Sequence, residues 1–277
     1  MKIGVTIHAT DLCIPVAELA REAEARGFHS LYIPEHTHIP VSRRTPAPMG
    51  GELPEEYKRS PDPLVALAAA AAVTRRILLG TAVALPAQHD AIAYAKQVAT
   101  LDRICGGRFV FGAGYGWNRE EMQNHGVAPQ QRRARTREHL LALQALWAKE
   151  VAGFEGEFVR IAPSWQWPKP VQQPRPRTLL GGAAGPGLFA HIAEFADGWM
   201  PIGGAGVARA LPALRRAVES RGRDWRAIHL VLIGVLPDAA KLAHYRETGM
   251  DECALRLPSA PRDQVLPVLD AYARWLT

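Results

Sequence analysis

Cysteine is scarce: the chain of 277 residues holds three, at Cys13, Cys105 and Cys253. Odd in number and far apart, they make neither a disulfide framework nor a Cys-x-x-Cys zinc motif, so a reducing cytoplasm is the expected compartment. Long apolar runs are also missing. The alanine-rich stretch 64–73 is too short to cross a bilayer and runs into Arg75-Arg76, so it reads as a buried helix and no membrane partner is expected. Met1-Lys2-Ile3-Gly4-Val5 enters a strand with no basic leader and no extended apolar segment, and no targeting signal is expected. Charge is mild, with 33 basic against 27 acidic residues giving +6. No basic run alternates with aromatics and no helix-turn-helix or finger pattern occurs, which argues against nucleic acid as a partner.

What is present is a regular alternation. With 48% hydrophobic residues, the chain can bury a large core. Apolar runs predict strands over 2–8, 30–35, 77–85, 108–114, 178–182, 198–202, 228–236 and 252–257. Helical patterns lie between them, over 15–26, 63–74, 91–104, 132–148, 187–194, 207–220, 238–248 and 261–276. Eight β-then-α units in order predict an α/β fold of the (β/α)8 barrel type, with residues 1–277 forming one domain. Leu230-Val231-Leu232-Ile233 is apolar throughout, as a strand covered on both faces should be. An open doubly wound sheet is the alternative, but no Gly-x-Gly-x-x-Gly fingerprint follows the first strand. Two insertions stand out, one after the second strand and one after the fourth. Residues 36–62 form a long loop at the strand end where barrel enzymes build their sites. Residues 152–167 contain Gly153-Phe154-Glu155-Gly156-Glu157-Phe158, which reads as a small hairpin, followed by Trp165 and Trp167.

Around Gly112-Ala113-Gly114-Tyr115-Gly116, alternate glycines carry the chain out of the fourth strand. Bare backbone there offers a flat ligand a close approach, while simple strand packing is the competing explanation. This run is one of five that together resemble the luciferase-like monooxygenase superfamily, and within it the branch that uses the deazaflavin coenzyme F420. The others are Ser30-Leu31-Tyr32-Ile33-Pro34-Glu35-His36-Thr37-His38-Ile39-Pro40, Leu79-Gly80-Thr81-Ala82-Val83-Ala84-Leu85-Pro86, Ala99-Thr100-Leu101-Asp102-Arg103 and Ala196-Asp197-Gly198-Trp199-Met200-Pro201. The glycine run itself continues through Trp117-Asn118-Arg119-Glu120-Glu121.

The resemblance implies hydride transfer between the deazaflavin C5 and a small organic substrate, with a homodimer as the assembly. It places Glu35 beside the cofactor ring and His36 as acid/base, imidazole being suited to proton exchange near neutral pH. It implies a non-proline cis peptide at Ala82-Val83 behind the ring, and Asn118 donating to the cofactor side chain, against the plainer reading of Asn118 as a helix N-cap. Phosphate is expected on Gly181, Gly182, Ala183, Ala184 and Gly185, and on Gly203 and Gly204, where the first run leads into a helix N-terminus. His8 and Trp117 are read as substrate-pocket residues, with Trp165, Trp167 and Trp199 as further apolar walls. Arg43, Arg44, Lys58 and Arg59 are candidates for an anionic cofactor tail, or else a solvated loop face. His36 and His38 find no third ligand at convincing spacing, so no metal is expected. Two alternatives stay open: a monooxygenase using reduced FMN from a separate reductase, and a non-catalytic flavin- or deazaflavin-binding protein. A phosphate-sugar isomerase barrel lacks the lysine or paired carboxylates it would need at the strand ends.

Overall fold

The computed structural model describes residues 1–48 and 50–276. Eight parallel strands close into a barrel: β1 (Lys2–Thr6), β2 (Ser30–Ile33), β3 (Leu78–Thr81), β4 (Phe109–Ala113), β7 (Arg177–Gly181), β8 (Gly198–Met200), β9 (His229–Val235) and β10 (Glu252–Arg256), which pairs back onto β1. Around them lie α1 (Val16–Ala25), α2 (Pro63–Ala72), α3 (Ala91–Ile104), α4 (Arg119–Asn124), α5 (Arg132–Ala148), α6 (Pro186–Phe195), α7 (Val207–Glu219), α8 (Ala239–Glu247) and α9 (Arg262–Ala273). The second insertion is a two-stranded antiparallel hairpin, β5 (Val151–Glu155) and β6 (Arg160–Trp165), wider than the glycine-bounded segment expected. The short helix α4 has no counterpart among the predicted elements. No helix among the described residues is long and apolar enough to cross a membrane.

Local chemistry explains several element ends. Asp62 and Asp90 cap α2 and α3, accepting from the amides of Val65 and Ala93 at 2.9 and 2.8 Å. At the end of α3, Gly106 and Gly107 take φ of 64° and 81°, the left-handed turn that a helix uses to stop. The strands alternate as a closed sheet requires. Leu31, Ile33, Phe109, Phe111, Leu180, Leu230 and Leu232 belong to the layer packed under the helices. Tyr32, Val110, Leu179, Met200, Val231, Ile233 and Ala254 form a separate cluster inside the barrel.

The interior pairs large residues with glycine. A Cβ on Gly80 would lie 2.6 Å from the Tyr32 ring, and one on Gly112 would lie 2.8 Å from the sulfur of Met200. On the floor, Gly4 leaves room for Ser30 and Glu252, whose side chains are hydrogen-bonded to each other. The Tyr32 hydroxyl also donates to Glu252, at 3.2 Å. Burial pushes the Glu252 carboxyl up to about 7, against the opposing pull of these hydrogen bonds and of Arg177.

A carboxyl that binds its proton more tightly when folded stabilises the native state fully below the unfolded pKa near 4.5, and that contribution is lost as pH rises through about 7. Denaturant titrations from pH 4.5 to 8 should therefore show falling stability, with roughly 3 kcal/mol at stake for a shift of this size. Glu252→Gln should flatten that slope; an unchanged slope would show that this carboxyl is not the cause.

Candidate functional site

The site lies at the carboxyl ends of the strands, roofed by the loop 36–62. Within that loop a single 3-10 turn, Glu55–Arg59, brings Tyr57 over the mouth. Four rings meet there. Tyr57 lies 4.6 Å from His8, 5.3 Å from His36 and 5.9 Å from Trp117 between ring centroids, and His36 stands 5.7 Å from Trp117. The loop is tied to the barrel on both sides. Nε2 of His8 is hydrogen-bonded to Oγ of Ser60 at 2.8 Å, and Arg59 pairs with Asp11 at 2.9 Å. Across the mouth, Glu120 accepts from the Thr45 hydroxyl at 2.6 Å and the Arg44 amide at 2.9 Å. Those bonds hold the Glu120 carboxyl down at about 2, with the Thr45 hydroxyl contributing most.

His36 is buried and bonded at both nitrogens. Nδ1 lies 2.9 Å from Oε2 of Glu121, and Nε2 receives the indole N–H of Trp117 at 3.2 Å. Indole nitrogen can only donate, so Nε2 is the acceptor and the ring proton sits on Nδ1, directed at the carboxylate. The two bonds thus hold Nε2 of His36 at the mouth as an acceptor. Burial pushes its neighbour His8 down to about 4, so it is uncharged at neutral pH.

Glu35 is held within the protein through both of its oxygens. Its Oε2 accepts the Leu85 amide at 2.5 Å and its Oε1 accepts from Nε2 of His89 at 2.6 Å. Both carboxylate oxygens therefore hold the chain that follows β3, which is where Ala82 and Val83 stand. The Ala82-Val83 peptide is cis. Val83 fills the space the alternate glycines leave. A Cβ on Gly114 would lie 2.5 Å from Cγ2 of Val83, and one on Gly181 would lie 2.6 Å from its Cγ1. On the side where a Cβ would stand, Gly112 leaves room for Met200, and Gly114 and Gly181 leave room for Val83. Val83 itself is only partly covered and offers its remaining surface to the mouth.

Asn118 is 1% exposed, and neither its amide nitrogen nor its oxygen has a partner. It precedes α4 without capping it through its side chain, so the plainer reading does not account for it. Gly182, Ala183 and Gly185 are at least partly exposed ahead of α6, which starts at Pro186. Arg133, absent from the sequence reading although α5 opens on a basic run, stands beside them. Its guanidinium lies 4.7 Å over the Tyr115 ring, and its Nη1 lies 3.4 Å from where a Cβ on Gly187 would be. Gly203 and Gly204 are less suited to an anion: the Gly203 amide donates to the Ile233 carbonyl at 2.7 Å, and Gly204 packs against the Tyr245 ring.

Other expectations are corrected by burial and pairing. Trp165 and Trp167 are exposed on the hairpin side over α3, and Trp199 is buried in the outer layer, so none of the three walls the mouth. Lys58 and Arg59 are matched by Glu55 and Asp11, and Arg43 lies 5.8 Å over Trp117. No group of three or more His, Cys, Asp or Glu among the described residues is placed to hold a metal ion. Tyr57 and His89 escaped the sequence reading, and Glu121 was given no role there; only the acidic pair in the first turn of α4 marks it.

The sequence pattern of luciferase-like monooxygenases matches residues 11–251. The chain is 42% identical, over 99% of its length and 98% of the other, to an uncharacterized protein of Mycobacterium tuberculosis. It is 32% identical over 75% of its length to an F420-dependent glucose-6-phosphate dehydrogenase of Nakamurella multipartita, of which it spans 59%. A shorter match, 32% identical over 36% of the chain and 28% of the relative, is to an FMNH(2)-dependent dimethylsulfone monooxygenase of Pseudomonas putida. Among solved structures, a monooxygenase of Streptomyces bottropensis superposes with a TM-score of 0.78 at 23% identity, covering 99% of this chain and 98% of that one. An F420-dependent secondary alcohol dehydrogenase in complex with an F420-acetone adduct also reaches 0.78, at 17% identity over 99% and 97%. A closed barrel, a roofed mouth with a fixed histidine, and a family pattern spanning most of the length agree: the chain belongs to the luciferase-like monooxygenase family, whose members are oxidoreductases.

Proposed function

We propose that this oxidoreductase uses coenzyme F420 and acts on a small organic alcohol or carbonyl at the barrel mouth, with His36 handling the proton. The observation that carries this reading is the doubly bonded His36, whose Nε2 is fixed beside a second hydrogen-bonding group, the Trp117 indole. When bound, the deazaflavin supplies or accepts a hydride at its C5. A substrate oxygen entering between His36 and Trp117 displaces their direct bond and meets a proton acceptor and a donor together. In the oxidative direction Nε2 takes the hydroxyl proton while the indole N–H continues to hold the oxygen; in the reductive direction Nε2 returns it. Tyr57 and Trp117 exclude water, and Val83 with Ala82 gives the ring a backing.

The fit to a cofactor rests on this chain's own groups. Asn118, buried with both amide atoms unsatisfied, calls for an external partner of mixed donor and acceptor character. Arg133 beside the start of α6, with the backbone of Gly182, Ala183 and Gly185, suits a phosphate. The F420-dependent relative aligns over twice as much of the chain as the FMNH(2)-dependent one, which favours the deazaflavin. FMN, supplied reduced by a separate reductase, is the second reading, supported by that same monooxygenase relative. We read the assembly as a cytoplasmic homodimer, C2 dimers being the commonest homo-oligomers.

Titrating the purified protein with F420 and with FMN tests the choice: F420 should bind, and tight FMN binding without F420 binding would reverse it. Asn118→Ala and Arg133→Ala should each weaken the F420 complex about tenfold, the effect of losing one hydrogen bond or charge contact. His36→Ala should cut hydride transfer by about a hundredfold or more while leaving the F420 Kd unchanged. Undiminished turnover in that variant would remove His36 from the chemistry, and no turnover in either protein with any alcohol or carbonyl would favour the non-catalytic reading.

A further inference from the structure

Glu121 is the third residue of α4, it is 1% exposed, and only one of its two oxygens has a partner. Its neighbour Glu120 is half-buried and binds the roof loop, so the two adjacent carboxylates face different tasks. A buried carboxylate with a single hydrogen bond is costly to keep. Packing alone would favour an apolar residue at this place, since Met122, Ala87 and Val127 form a small apolar cluster beside it. What Glu121 holds is Nδ1 of His36, at 2.9 Å and with both side chains almost fully covered.

We infer that Glu121 is a positioning residue acting through His36. It keeps the ring proton on Nδ1 and so leaves the Nε2 lone pair at the mouth, and it supplies the countercharge when Nε2 takes a proton from substrate. Trp117 does part of the same work from the other side by donating to Nε2, so the two contributions must be separated. This inference rests on the reading of His36 as the acid/base.

Nitrogen-15 spectra of the histidines, recorded on the full chain at neutral pH and assigned with His36→Gln, report which ring nitrogen carries the proton. In wild type and in Trp117→Phe, His36 should be protonated at Nδ1, because Glu121 alone is enough to hold it there. In the Trp117→Phe, Glu121→Leu double variant the proton should move to Nε2, the nitrogen that then faces the open mouth. If the double variant kept the proton on Nδ1, or if Trp117→Phe alone released it, the inference would be overturned. Turnover adds a second readout. Glu121→Leu should lose at least about tenfold in kcat with the F420 Kd unchanged, and the near-isosteric Glu121→Gln, whose amide oxygen can still accept from Nδ1, should recover part of it. Equal turnover in all three proteins would also overturn it. Failure of the His36 reading is distinguishable: His36→Ala would then be fully active, while the position of the ring proton would still depend on Glu121.

Discussion

Eight parallel strands closed into a ring must bury two faces, and the inner face has room for only a few large side chains. That limited volume governs much of this molecule. Tyr32 and Met200 occupy the inside because Gly80 and Gly112 have no Cβ in their way, and Glu252 sits on the floor because Gly4 does not. At the upper end the same economy of space lets Val83 lie between Gly114 and Gly181. The chain after β3 therefore enters the mouth at that point, and the residues of the site are arranged around it.

Two buried glutamates then join the rim into one body. Glu35, just past β2, binds the Leu85 amide and His89, so the second barrel strand holds the segment that leaves the third. Glu121, on α4 after the fourth strand, binds His36, so the fourth unit holds the end of the second. Each carboxylate ends on a histidine, but the histidines differ in what they face. His89 stacks on Tyr94 at 4.1 Å, whereas His36 stands among Tyr57, His8 and Trp117 under the loop. The first pair braces the chain after β3, and the second holds a ring nitrogen at the mouth.

The corner proposed to take the cofactor phosphate depends on a different device. The loop after β7 is open backbone followed by a helix that begins with proline, which lacks an N–H, so fewer amides are on offer there than in most helix starts. Arg133 compensates from α5, held over Tyr115, whose hydroxyl is in turn bonded to Nδ1 of His191 at 2.9 Å. Three elements distant in sequence thus meet at one charged point.

The amino-acid sequence by itself carried the barrel: apolar runs alternating with helical patterns are short-range signals, and α3 and α5 lie where those patterns put them. It also carried the family through five short motifs, and with them the expectation placed on His36. Which atoms those motifs touch was settled only by the tertiary structure. That Gly114 and Gly181 make room for Val83, and Gly112 for Met200, is visible only where the strands lie side by side. The two bonds of Glu35 to the chain after β3, and that of Glu121 to a histidine 85 positions away, have no signal in the sequence. The physical reason is that periodicity and capping are read over a few residues, whereas a side chain's partner at the mouth of a closed barrel comes from whichever strand end the ring brings opposite it.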